Sequence, residues 1–221
     1  MDFNIEYFFS MFPVILRGLP ITVEVAGASL FFSVILGFVI AAFRYYNIPM
    51  LKQLSTVFVS FFRSTPFIAQ LFVFYYGIAQ VSKLVKNMPS FWATIIVLSL
   101  SFAAYMSEDI RGAITSVDKG QFEAGISIGL SSWQTVYRII IPQAVRVAIP
   151  GMMNSFANLF KSTSLCFIVG LKDMIAYCKN EANVSFRYLE GYMAVLIIYW
   201  IILSSISYLQ SRLERHMNKA Y

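Results

Sequence analysis

Four polar residues inside one apolar stretch suggest the most chemistry. Asn154, Asn158, Lys161 and Ser162 stand at offsets 0, 4, 7 and 8, with Phe156, Ala157, Leu159 and Phe160 among the residues between them. That spacing puts all four on one stripe of a helix. In a bilayer, such a stripe turns to the interior of a helix bundle. It offers a cation, two amides and, counting Thr163 and Ser164, three hydroxyls. These groups suit a small zwitterion, with Lys161 facing a carboxylate. The same groups would also serve as a polar seam between packed helices.

Three other polar residues fall in apolar surroundings. Glu24 is near the outer end of the first apolar run, where it either reaches the interface or caps a helix. Arg63 stands three residues before Pro66. Proline frees a backbone carbonyl, and broken membrane segments are tolerated where they line a cavity. Arg63 is thus a candidate for substrate contact, or a cation at headgroup depth that holds another helix. Gln70, further along a similar face, is a candidate for the same cavity or for a bond between helices.

Other chemistries are excluded. There is no G-x-x-x-x-G-K-[ST] run to cradle nucleotide phosphates. The single histidine, His216, sits in a polar tail and cannot found a histidine metal site. Cys166 and Cys178 are 12 residues apart with no CxxC motif, and read as two unpaired thiols.

The elements that position these residues follow from composition. The 221 residues suffice for one domain, and they are 58% hydrophobic, 17% aromatic and only 13% charged. A soluble domain carries about 25% charge. With a mean hydropathy of +0.68, the chain has more apolar surface than a water-soluble protein of its length can hide. The formal charge of +6 forms no dense basic stripe, so nucleic acid is not an expected partner. The start of the chain lacks the pattern of a signal peptide, since Asp2 and Glu6 occupy the region that should be basic.

A membrane helix needs about 20 mostly apolar residues. Five spans are expected, over about 20–43, 54–78, 91–107, 147–171 and 192–208, in one all-α integral membrane domain covering 1–221. With the N-terminus outside, the inner segments carry nine Lys and Arg, among them Arg44, Arg111, Arg138 and Lys219; the outer segments carry six. The bias favours N-out, C-in. It leaves one long cytoplasmic segment, about 108–146. Within it Phe122, Ile126 and Leu130 recur at helical spacing, Asp118 can cap the start, and Pro142 is expected to stop the stretch that follows. A short amphipathic helix there can dock in the groove of a soluble partner. The small Ala124, Gly125 and Gly129 would let that partner come close.

These residues also carry a family resemblance. Glu123-Ala124-Gly125, then three residues, Gly129, nine residues, Ile139, one residue, Ile141 and Pro142 resembles the EAA signature of binding-protein-dependent ABC importer permeases. The chain departs from that pattern at Gly125, where the family has Ala, and at Ile141, where it has Leu. Arg63-Ser64-Thr65-Pro66, Glu108-x-x-Arg111-Gly112-x-Ile114, Ile141-Pro142-Gln143-Ala144 and Lys161-Ser162-Thr163-Ser164-Leu165 resemble the polar amino acid branch. The resemblance covers about residues 12–210.

It implies a type I importer fold of five transmembrane helices plus a cytoplasmic coupling helix. It implies a second permease copy, two cytoplasmic ATPases, an extracellular or periplasmic amino-acid-binding protein, and a place in the bacterial inner membrane. The chain itself would hold no cofactor, and ATP and Mg would bind the ATPase. Glu123, Ala124, Gly125, Ser127, Gly129 and Pro142 would form the coupling surface. Glu24, Arg63, Gln70, Asn154, Asn158, Lys161, Ser162 and Thr163 would contact substrate. An acid often stands in the family where Ser162 stands, so a cationic substrate loses its counter-charge here. The run from Lys161 to Gly170 looks most like cystine-type members. The rival readings are a secondary amino acid carrier and a membrane scaffold without its own transport path. The first would show internal repeats, and none is evident; the second leaves the polar fourth span unexplained.

Overall fold

The computed structural model describes residues 2–218. Lys219, counted in the charge balance, and the side chain of His216 lie outside what is described. The helices are α1 (Ile5–Leu16), α2 (Leu19–Tyr45), α3 (Leu51–Ser64), α4 (Phe67–Phe72), α5 (Lys83–Lys86), α6 (Ser90–Ser116), α7 (Lys119–Ser127), α8 (Ser132–Thr135), α9 (Ile141–Ser162), α10 (Met174–Ser185) and α11 (Tyr188–Asn218). Two π-helical turns, Val73–Gly77 and Val136–Ile140, and two 3₁₀ segments, Ile78–Gln80 and Thr163–Val169, connect them. The described residues contain no strand.

Helix α6 is the central post, packed by α2, α3, α4 and α9. Its contact with α2 is close because the facing residues are small. A Cβ on Gly37 would meet the Met106 Cβ at 3.1 Å, and the Ser33 hydroxyl donates to the Ser99 carbonyl at 3.2 Å. Small residues and hydroxyls of this kind join helices where burial from water contributes little. Leu98, Leu159, Cys166, Met174 and Ala194 belong to one apolar core shared by α6, α9, α10 and α11.

Three helices are long and apolar enough to cross a membrane: Leu19–Tyr45, Ser90–Ser116 and Tyr188–Arg215. The sequence predicts a second span over 54–78, but no straight helix runs there. Leu51–Ser64 and Phe67–Gln80 meet at a bend of 108°. Proline excludes helical backbone from the residue before it, and Thr65 is accordingly extended, with φ −109° and ψ 144°. The predicted fourth segment, 147–171, is also redrawn. Helix α9 starts earlier, at Ile141, and beyond Ser162 the chain tightens into the 3₁₀ run that Gly170 ends in the left-handed region, φ 86°. Pro142 opens α9 instead of stopping a preceding helix, because its missing N–H is not needed in a first turn. Likewise Glu108–Ser116, assigned to the loop by hydropathy, continues α6.

The N-terminal helix is clasped to the last one. Asn4 caps α1 through its side-chain oxygen, which accepts from the Tyr7 amide at 2.9 Å. Its own backbone N–H donates to Glu190 of α11 at 3.0 Å, and Glu190 pairs with Arg187 at 2.9 Å. Met11 and Ile15 are fully buried against α10 and α11. The corner between α1 and α2 requires Gly18, because any Cβ there would lie 2.4 Å from the Asp173 backbone.

Candidate functional site

Helices α6 and α9 and the break between α3 and α4 enclose a polar pocket of about 220 Å³. Thr65 and Phe67 come from the break, Ser101, Phe102 and Tyr105 from α6, and Ser155, Asn158 and Ser162 from α9. Gln70 holds the break in place. Its Nε2 lies 3.0 Å from the Phe62 carbonyl, 3.1 Å from the Thr65 carbonyl and 2.9 Å from Thr65 Oγ1. An amide has two protons for those three acceptors. Gln70 is thus a staple of the bend, and its remaining oxygen is buried without a partner among the described residues.

The polar stripe of α9 divides. Asn158 and Ser162 line the pocket, joined by Ser155, whose hydroxyl donates to Asp109 at 2.6 Å. Asn154 and Lys161, exposed like Asn158, do not line the pocket, and Thr163 is buried with its hydroxyl on the Phe160 carbonyl at 2.8 Å. Glu24 is also exposed, on the face of α2 turned from the core. The pocket wall therefore has hydroxyls, an amide and aromatic rings, but no formal charge.

Charge stands next to it. Glu108 gathers three arginines from three helices. Arg44 of α2 bonds its Oε1, Arg111 bonds its Oε2 through two nitrogens at 3.2 and 2.7 Å, and Arg63 of α3 stays 3.9 Å from Oε2. The Arg63 guanidinium lies 5.6 Å over the Tyr105 ring, which is itself pocket wall. Sequence reasoning singled out Arg63 but gave no site role to Ser101, Tyr105, Asp109 and Ser155, nor to Glu108 beyond its place in a motif. The signal was present, because Ser101, Tyr105 and Glu108 fall 4 and 3 apart, the spacing of one face in an apolar helix.

The second candidate surface is the corner formed by α7 and α8. Asp118 caps α7 by accepting from the Gly120 amide at 2.7 Å. Ser131 and Gln134 form a reciprocal capping box on α8. Gly125 is buried, and a Cβ there would sit 2.5 Å from the Thr135 side chain, so its smallness serves the packing of α7 on α8. Gly129 turns the chain between them with φ 87°, a conformation that favours glycine. Glu123, Ala124 and Ser127 are exposed, and Ser127 donates to the Glu123 carbonyl at 2.9 Å. Beside them Ile126, Ile128, Trp133 and Tyr137 are exposed, and the last two stack at 6.4 Å. An exposed apolar patch of this kind marks an interaction surface.

The family model described as binding-protein-dependent transport system inner membrane component matches residues 33–219. The chain belongs to this family. It is 42% identical over 221 residues to the probable amino-acid ABC transporter permease protein PatM of Vibrio harveyi, covering 100% of this chain and 99% of that one. It is 44% identical over 216 residues to the probable amino-acid permease protein YxeN of Bacillus subtilis (strain 168), covering 98% and 96%. With the L-cystine transport system permease protein TcyL of the same organism it shares 41% identity over 194 residues, covering 86% and 81%.

Among solved structures it superposes on one described as an amino acid ABC transporter with histidines, at TM-score 0.90 and 28% identity, over 98% of this chain and 100% of that one. The MetNI methionine ABC transporter shares the fold, at TM-score 0.79 and 20% identity over 94% of this chain and 98% of that one. This inner membrane component is thus a multi-pass ABC transporter permease subunit and not an enzyme. A separate ATPase hydrolyses the ATP in this family.

Proposed function

We propose that the chain is the transmembrane subunit of an ATP-driven importer of a polar amino acid. The observation that carries this reading is the uncharged, hydroxyl-lined pocket of about 220 Å³ between α6, α9 and the broken α3–α4 pair. Ser101, Ser155, Asn158 and Ser162 would bond a polar side chain or head group there. The amino-acid permeases among its relatives support the substrate class. The identity with the L-cystine permease and the absence of an acid at Ser162 make cystine the leading candidate.

Two copies pair, each using α9 as part of the path. The exposed Asn154 and Lys161 face the partner copy or the shared passage. The chain crosses the membrane five times, N-terminus outside, with α3–α4 and α9 as the second and fourth crossings. Glu123, Ala124, Ser127 and the patch around Trp133 dock on the ATPase, one for each copy, which binds ATP and Mg. An extracellular or periplasmic receptor delivers the substrate.

The test is reconstitution of the permease with its ATPase in proteoliposomes loaded with ATP, with the receptor and labelled cystine, glutamine or histidine added outside. Uptake that needs ATP and receptor is expected. Uptake driven by an ion gradient with the permease alone would refute the reading in favour of a secondary carrier.

A further inference from the structure

An amino acid is a zwitterion, and the wall of the pocket has no charge to meet either end. Two charges stand next to wall residues, Asp109 at Ser155 and Arg63 at Tyr105. Asp109 lies beside Ser155, whose hydroxyl it holds at 2.6 Å. Gly151 leaves the space for it, since a Cβ there would approach Asp109 Oδ1 to 3.1 Å. No ion pair to Asp109 occurs among the described residues. A carboxylate has about four acceptor positions, so the Ser155 bond leaves others open.

Arg63 lies beside Tyr105 and two residues before Thr65. Its bond to Glu108 is the weakest of the three. Both Glu108 oxygens already accept, one from Arg44 and the other from Arg111, and at 3.9 Å Arg63 is beyond hydrogen-bond length. Its side chain is 45% exposed, against 17% for Arg44. Arg63 makes no hydrogen bond among the described residues, and only the Glu108 charge and the Tyr105 ring restrain it. One carboxylate is shared by three guanidiniums, and the surplus positive charge falls on Arg63, whose guanidinium lies over the pocket's Tyr105 ring.

We infer that Arg63 and Asp109 read the zwitterionic head of the transported amino acid, Arg63 taking the α-carboxylate and Asp109, beside Ser155, the α-ammonium. Glu108 is a positioning residue that holds Arg63 at the pocket until a second carboxylate arrives. The inference rests on the amino acid reading of the pocket, and it names the half of the substrate that this end recognises. The side chain then extends toward Asn158 and Ser162.

The experiment uses the permease co-purified with its ATPase in lipid nanodiscs. Calorimetry measures the binding of L-cystine, L-glutamine and L-histidine, of their α-carboxamides, which lack the carboxylate charge, and of the matching α-hydroxy acids, which lack the ammonium. Wild-type protein should prefer each amino acid to both analogues by about ten- to a hundred-fold, the worth of one charge-assisted hydrogen bond. Arg63→Gln should abolish the preference over the carboxamide while leaving carboxamide affinity unchanged. Asp109→Asn should do the same for the hydroxy acid. Arg63→Lys should restore part of the preference.

Full discrimination in Arg63→Gln or Asp109→Asn overturns the assignment for that residue. Equal loss of all ligands in Arg63→Gln and Arg63→Lys overturns it too, because it reveals a structural role. Binding of none of the three amino acids by wild-type protein refutes the functional reading itself, and so differs from either result.

Discussion

Asp173 gives the sharpest quantitative prediction. It is fully buried at the start of α10, outside the crossing helices. Oδ1 accepts the Ala176 amide N–H at 2.8 Å, and Oδ2 has no partner among the described residues. Burial pushes the carboxyl up from 3.8 to about 7, against backbone hydrogen bonds that pull it down. A carboxyl raised by folding contributes most while the unfolded chain is also protonated. Its contribution is complete below 3.8 and lost as pH rises through about 7. At about 1.4 kcal/mol per tenfold step in acidity, the interval is worth at most about 4 kcal/mol, and local relaxation reduces it. Asp173→Asn keeps an effective N-cap and removes the titration. The assay is the melting temperature of the purified protein in detergent from about pH 5 to 8. The wild type should lose stability across that range, and Asp173→Asn should lose less and equal or exceed it at the alkaline end. Parallel curves for the two proteins would refute the argument.

Gly18→Val places atoms 2.4 Å from the Asp173 backbone and should abolish assembly of the folded permease, read as loss of the monodisperse peak on size exclusion. Gly129→Trp, at φ 87°, should disturb the turn from α7 to α8, so that receptor-stimulated ATP hydrolysis falls several-fold while membrane insertion survives. Unchanged stimulation would remove Gly129 from the coupling surface. In a background without Cys166 and Cys178, impermeant maleimide added to intact cells should label Asn180→Cys and spare Ser127→Cys; both positions are exposed, so labelling of the second would invert the topology. Lys161→Met should reduce uptake about ten- to a hundred-fold with the complex intact if the lysine borders the path. Dissociation of the complex would make it a contact between copies instead.

Much of this was legible in the sequence because hydropathy reports burial in lipid directly. Leu19–Tyr45 and Ser90–Ser116 are apolar runs whose helices any membrane imposes. Local signals also carried, and Asp118 caps its helix as expected of an aspartate before that amphipathic stretch. The misreadings have tertiary causes. Hydropathy cannot see that Gln70 folds back on Thr65, and so runs one span through a bend of 108°. It also ends the third span at Ser107, although Arg44 and Arg111 neutralise Glu108 and let α6 continue. Periodicity placed four polar residues of α9 on one stripe, yet a stripe is wide. Only the position of α6 decides that Asn158 and Ser162 line a pocket while Lys161 does not.

The clasp between Asn4 and Glu190 joins residues 186 apart. A ribosome completes α1 long before α11 exists, so the first helix made has no partner for most of synthesis. Met11 and Ile15 must wait for α10 and α11, and closing so long a loop comes late in folding. The earliest segment is therefore the last to settle, and a chain truncated before Arg187 would leave α1 without its anchor, ready for quality-control proteases to recognise.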